Sequence, residues 1–302
     1  MSKTLASSDR HPIAGVLFKG LIWGFSKLPL GLNRRLGQGL GWLLWRLPNK
    51  AKRITLINLA IAYPQHDQAW RDQMAKQSLV ELGKTVTELG PLWLWPKEKL
   101  LPLVKEVRGL EQLEAGLAKQ RGVIVLSPHL GAWELMGWYW SVKYGITSLY
   151  RPPRMASIET FMRAVRERGG ADLVPTDMSG VKALRRALKD QQMVGILPDQ
   201  DPGASGGVIA PFFAQPANTM LLVAKLAQKA QCPVFYTFTE RLAGADGYRV
   251  HVIPATDLVS STDDIEAAAA LNKGVEQALS LCPAQYQWSY KRFKNVPGQK
   301  IY

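Results

Sequence analysis

The sequence predicts an α/β fold: a mixed, largely parallel sheet covered by helices, with a membrane-attached helical segment at the N-terminus. Three observations carry that expectation. From about residue 120, short apolar β-branched runs alternate with segments whose apolar residues recur at helical spacing. That alternation places helices over a mainly parallel or mixed sheet. Nearly half of the 302 residues, 47%, are hydrophobic, which suffices for a substantial core. No long stretch has the polar, highly charged composition of a disordered region. The first fifty residues, finally, interleave Leu and Trp with Lys and Arg, which separates residues 1–50 as an anchor from a domain over 51–302.

Residues 12–32, PIAGVLFKGLIWGFSKLPLGL, are long enough to span a bilayer but are interrupted by Lys19, Lys27 and Pro29. No clean apolar stretch followed by a small-residue cleavage site marks a secretory signal. Leu36, Leu40, Leu43, Leu44 and Leu47 then recur beside Arg34, Arg35 and Arg46. A basic helix with a Leu/Trp face can lie in the membrane interface, its cations meeting acidic headgroups. A helix packed on the domain core is the other reading, and spanning and lying flat both stay open.

Residues 51–62 continue as a helix with Ile54, Ile57 and Ile61 on one face, stopped by Pro64; a further helix runs to about Gly90. PLWLWP (91–96) reads as a turn or an apolar surface loop. GVIVLS (122–127) is a buried strand, GAWELMGWYWSVKYG (131–145) a helix closing on Gly145, and ITSLY (146–150) a second strand. Residues 157–168 form a helix ending at Gly169-Gly170. Ser179 can cap the next, with Val181, Leu184 and Leu188 opposite Lys182, Arg185, Arg186 and Lys189. MVGILP (193–198), VFYTFT (234–239) and YRVHVIP (248–254) read as strands, 217–230 as helix, and Leu271, Val275 and Leu279 mark the last helix.

Charge narrows the partners. Lys plus Arg number 38 against 24 Asp plus Glu, a balance that favours nucleic acid, acidic lipid headgroups or an acidic carrier protein. The cations are dispersed among Leu and Trp and match no nucleic-acid-binding signature, so nucleic acid is set aside. Cys232 and Cys282 alone make neither a disulfide framework nor a zinc site. Ten tryptophans, mostly in the first half, suit either a core or a surface that is apolar on one side and wet on the other.

Ligands of open α/β sheets collect outside the carboxyl ends of the strands, which makes three strand ends informative. SPHLGAWE puts His129 just after a strand and Glu134 in the next helix. An imidazole there can take a proton from a hydroxyl while the carboxylate fixes its tautomer, provided His129 folds back over the helix's first turn. A structural histidine is the alternative. LYRPPR places Arg151 and Arg154 at the same rim, suited to a phosphate or a developing oxyanion, or simply to solvent. LPDQDPGASGG supplies Asp199, Gln200 and Asp201 on a Gly-rich loop that lacks the phosphate-loop pattern. Ser127 has no G-x-S-x-G elbow around it, and no H-E-x-x-H suggests a metal. His11, His66 and His251 read as structural or exposed.

In their order, NLAIAYPQ (58–65), SPHLGAWE (127–134), YRPP (150–153), LPDQDPG (197–203), APFFAQPANT (210–219) and QYQWSYKRFK (285–294) resemble the late acyltransferases of lipid A biosynthesis. These are the lauroyl/myristoyl transferases within the wider lysophospholipid acyltransferase superfamily. The resemblance implies that His129 and Glu134 are the family's His-x4-Asp/Glu dyad, with Arg151 in its R-P block and Asp199 in its P-D-Q block. It implies catalysis by His129, Glu134 and Arg151, and substrate binding by Arg154, Asp199, Gln200, Asp201 and Thr219. The acyl donor would be acyl carrier protein and the acceptor a hydroxyl of a lipid A precursor, without a cofactor or metal. The enzyme would sit at the cell inner membrane with its catalytic domain facing the cytoplasm. A same-superfamily enzyme acting on a lysophospholipid or another glycolipid is the alternative, and a non-catalytic lipid-binding protein of the same fold a further one. Ala132 stands where the family often has Asn, and Trp288-Ser289-Tyr290-Lys291-Arg292-Phe293 replaces its W-x-H-R-R-F block.

Overall fold

A computed structural model describes residues 12–153, 155–203 and 205–302. Four helices come first: α1 (Pro12–Ser26), α2 (Leu30–Arg46), α3 (Lys50–Ala62) and α4 (Gln68–Leu94), followed by the single turn α5 (Lys97–Leu100). Alternation then sets in: β1 (Val104–Arg108), α6 (Leu110–Leu117), β2 (Val123–Leu126), α7 (Trp133–Tyr144), β3 (Ile146–Tyr150), α8 (Ala156–Glu167), β4 (Ala171–Pro175), α9 (Met178–Lys189) and β5 (Met193–Ile196). After these come β6 (Gly207–Phe212), β7 (Gln215–Met220), α10 (Leu222–Ala230), β8 (Val234–Arg241), β9 (Tyr248–Pro254) and α11 (Asp264–Leu281).

Seven strands make one sheet in the order β1-β9-β8-β2-β5-β3-β4. Its pairings are parallel except β8 with β9, whose hairpin turns β9 and β1 against the other five. The expected mixed, largely parallel sheet under helices is therefore present. Strand alternation divides the core between the two faces. Ile124, Leu126, Val194, Ile196 and Tyr236 point to the side covered by α9, α10 and α11. Val123, Val125, Met193 and Phe235 point to the side covered by α7, with Trp138 and Trp140 packed there.

Several expectations change. PLWLWP is not a surface loop: α4 continues through Pro91 to Leu94, and Leu92 and Trp93 are buried against the α7 face. The segment 217–230 is not one helix, because residues 217–220 pair antiparallel with β6 before α10 begins. The α9 cap is Asp177, whose carboxylate accepts from the Ser179 and Gly180 amides at 2.8 and 3.2 Å, rather than Ser179. The apolar segment 12–32 is broken between α1 and α2, with Pro29 immediately before Leu30. Among the described residues no helix is long and apolar enough to cross a membrane.

Candidate active site

The chain leaves β2 at Leu126 and forms a short loop before α7, held on three sides by backbone hydrogen bonds. The Gly131 amide donates to the Gln285 carbonyl at 3.0 Å, and the Ala132 amide to the Thr239 carbonyl at 2.8 Å. The Gln287 amide donates to the His129 carbonyl at 3.0 Å. Gly131 sits at φ +62°, and a Cβ there would stand 1.9 Å from the Thr239 oxygen, so only glycine fits this crossing. A fixed loop fixes its histidine.

Three residues beyond β5, Asp199 rises to the same place. One carboxylate oxygen accepts from the His129 backbone amide at 3.0 Å; the other lies 2.9 Å from His129 Nδ1. Asp199 is 3% exposed. Burial alone would push its carboxyl up, but the His129 charge and hydrogen bonds hold it below the usual carboxylate range. An ionised Asp199 accepts a hydrogen bond from Nδ1–H, which leaves Nε2 with its lone pair. The Gln200 amide nitrogen lies 3.2 Å from Nε2.

Glu134 does not make the contact expected of it. The carboxylate on Nδ1 belongs to Asp199, while Glu134, in the first turn of α7, turns toward α8 and α4. It accepts from Arg166 through both carboxylate oxygens, from Nε at 3.0 Å, and from Trp93 Nε1 at 3.0 Å. Burial opposes its ionisation, and Arg166, Trp93 and the nearby His129 overcome that and hold its carboxyl low. Five residues of spacing leave His129 ahead of the helix and Glu134 inside it, so each finds a partner from another element.

His129, Glu134, Arg151 and Gln200 all line one cavity of about 400 Å3. Its inner wall is apolar, with Trp93, Met136, Trp138, Trp140, Met162 and Val165 from α4, α7 and α8. Its polar groups include His129, Glu134, Arg151, Arg166 and Gln200, so an apolar body meets several convergent polar groups, the usual make-up of a ligand site. Arg151 is exposed in the loop after β3; Arg154 lies outside the described residues, as does His11. The structure does not bring Asp201 or Thr219 to the cavity lining. Asp201 accepts from the Gly203 amide, Asn218 and Asn295 and so knots the Gly-rich loop. Thr219, fully buried, accepts from Asn272 at 2.8 Å and Arg292 at 2.9 Å. His251 stacks on Phe238 and His66 on Trp70.

Sequence reasoning missed Arg166, which looked like one of many cations on a basic helix. It also missed Ser127 and Tyr150, which border the cavity and whose buried hydroxyls find no hydrogen-bond partner among the described residues. The orphaned groups are visible only once the fold exists.

A family model described as bacterial lipid A biosynthesis acyltransferase matches residues 3–295. The chain belongs to that family. It is an acyltransferase, and the relatives agree on the chemistry. The Escherichia coli lipid A biosynthesis palmitoleoyltransferase is 29% identical over 92% of this chain and 90% of its own length. The Escherichia coli lauroyltransferase is 28% identical over the same shares. The myristoyltransferase of that organism is 24% identical over 97% of this chain and 91% of its own. Three relatives named for three different acyl chains thus align along nearly the whole acyltransferase.

Proposed function

We propose that this enzyme transfers a fatty acyl chain from acyl carrier protein to a hydroxyl of an acylated lipid A precursor, with His129 as general base. The observation that carries the reading is the His129–Asp199 pair: a buried carboxylate on Nδ1 leaves Nε2 free to act as a base beside a cavity with a largely apolar wall. The acyl chain lies in the cavity with its thioester carbonyl at the mouth. Nε2 takes the acceptor's hydroxyl proton as that oxygen attacks the carbonyl carbon. Arg151 stabilises the tetrahedral oxyanion, the C–S bond breaks, and the imidazolium returns its proton to the leaving thiolate. Asp199 holds the imidazole in the productive tautomer, and Glu134 anchors Arg166 beside it.

The enzyme acts at the inner membrane, its catalytic face toward the cytoplasm, with α1 and α2 as an interfacial anchor. Ile13, Val16, Leu17 and Trp23 on α1 are more than half exposed, and Trp42 and Leu43 on α2 nearly so. Lys27 and Arg46 lie over the Trp23 and Trp42 rings, each at 4.8 Å, an arrangement suited to a headgroup layer. Apolar patches of this kind mark interaction surfaces. On its other side α1 touches the cavity wall, where Phe18 packs edge-on against Trp93.

Detergent-solubilised protein is incubated with labelled acyl groups on acyl carrier protein and a hydroxyacylated lipid A precursor. Transfer to the precursor is expected. Transfer only to a lysophospholipid or another glycolipid would replace the acceptor, and lipid binding without turnover to any acceptor would refute the reading.

A further inference from the structure

Helix α7 carries one residue that its own helix would prefer to be something else. Gly137 sits in the helix interior, where glycine costs about 1 kcal/mol relative to alanine. Some glycines in this protein have a packing reason, whereas the helical Gly20, Gly24 and Gly39, like Gly137, have none. A Cβ on Gly83 would stand 2.1 Å from the Gly37 carbonyl oxygen where α4 crosses α2. One on Gly195 would stand 2.5 Å from the Ser148 hydroxyl on the adjacent strand. At Gly137 a Cβ meets no atom within 4 Å, and φ is not in the left-handed region. Neither neighbours nor backbone demand the glycine.

Gly137 is exposed, and among the glycines without a packing reason it is the one on the cavity lining. Gly137 lines it one turn beyond Trp133 and Glu134, the residues of α7 nearest His129, and one turn before the buried Trp140. Trp140 fixes that inner side, because its ring nitrogen reaches the Thr237 hydroxyl at 3.3 Å. One turn beyond Gly137, Ser141 packs against the turn that follows α8, where a Cβ on Gly169 would stand 2.2 Å from its hydroxyl oxygen. The open space at Gly137 therefore lies between the reacting groups at the mouth and the tryptophan-lined interior.

We infer that Gly137 sets the length of acyl chain the enzyme accepts, by leaving open the passage from the catalytic mouth to the Trp138–Trp140 end of the cavity. The inference rests on the proposed function, in which the cavity holds the acyl chain. A side chain at position 137 fills the space that the distal methylenes of a long chain occupy, while a short chain stops before it. One methylene in an apolar pocket discriminates by about 10-fold to 200-fold, so a single leucine is enough to reset the preference.

The test compares wild type, Gly137→Ala and Gly137→Leu with acyl carrier protein loaded with a series of saturated acyl chains of increasing length. The readout is kcat/KM for each length, with thermal melting to follow folding. In Gly137→Leu the ratio of long-chain to short-chain kcat/KM is expected to fall at least tenfold. Gly137→Ala is expected to melt higher, through its better helix propensity, and to move the ratio the same way by less. Should Gly137→Leu fail to fold, Gly137→Ala decides alone. An unchanged ratio in a folded variant overturns the inference, as does an equal loss at every chain length. A wild type that transfers no chain of any length refutes the proposed function instead; a wild type with a clear length optimum that both variants share refutes only the role of Gly137.

Discussion

Two carboxylates in this protein, one buried and one largely so, are both held low by arginine, and only the second faces a cavity. Glu88 on α4 is fully enclosed, accepting from Arg34 Nε at 2.7 Å and Arg241 Nε at 2.6 Å. Arg34 continues to the carbonyls of Leu242, Gly244 and Gly247, so the cluster ties α2 and α4 to the β8–β9 turn. Glu134 has Arg166 and the Trp93 indole, and its surroundings open onto the cavity beside His129. The first arrangement spends its charges inside the scaffold. The second leaves polar groups turned toward an apolar space, which serves a ligand and does little for stability. Burial of charge thus marks both framework and site, and what separates them is whether the charged pair borders the cavity.

Glu88→Gln should break that comparison most visibly. It leaves two buried guanidinium groups short of a counter-charge, and losing one partner of such a cluster costs about 3–5 kcal/mol. Denaturant unfolding should show that loss, with the transfer rate per folded molecule little changed. Asp199→Asn should do the reverse: the wrong tautomer at His129 lowers kcat roughly 100-fold, while melting shifts far less than in Glu88→Gln. Circular dichroism melting beside single-turnover transfer separates the two outcomes, and a normal rate in Asp199→Asn would remove it from the catalytic pair.

Acid should sharpen the contrast further. Glu88, Glu134 and Asp199 all have native carboxyl values below the usual 4.5 or 3.8. A lowered native value contributes stability that is fully present above the unfolded value and lost as pH falls through the native one. Melting temperature should therefore hold above about pH 5 and drop progressively below about pH 4. Glu88→Gln should flatten that drop; an unaltered acid slope would mean that Glu88 is not the group being protonated. The smallest effect belongs to the surface. Replacing Leu17 and Trp23 with Ser should weaken flotation with anionic vesicles several-fold, since two exposed apolar side chains of α1 no longer enter the interface, and leave melting nearly unchanged. Flotation equal to wild type would assign that face another role.

How much of this was legible beforehand follows from what each element needs. β2, β5, β8 and β9 are apolar runs between turn residues, and their strand identity is local. β1 and β4 are edge strands, VKEVR and ADLVP, whose charged or mixed residues hide the pattern. β7, QPANTM, looks like the start of the helix after it, and only pairing with β6 makes it a strand. At the site, His129 was readable from its place after a strand. Its true partner was not: Asp199 is 70 residues away, and the five-residue spacing to Glu134 pointed to a nearer carboxylate. Arg166 and Gly137 carry no local signal, because their meaning depends on which side of a helix meets the cavity.

The most direct test of the central claim is the rate of acyl transfer by His129→Ala against wild type, with equal folding verified by melting. A positioned general base predicts a fall of about 100-fold to 10,000-fold with the fold intact. A well-folded variant that still transfers acyl chains at near the wild-type rate would contradict the assignment of His129, and with it the role given to Asp199.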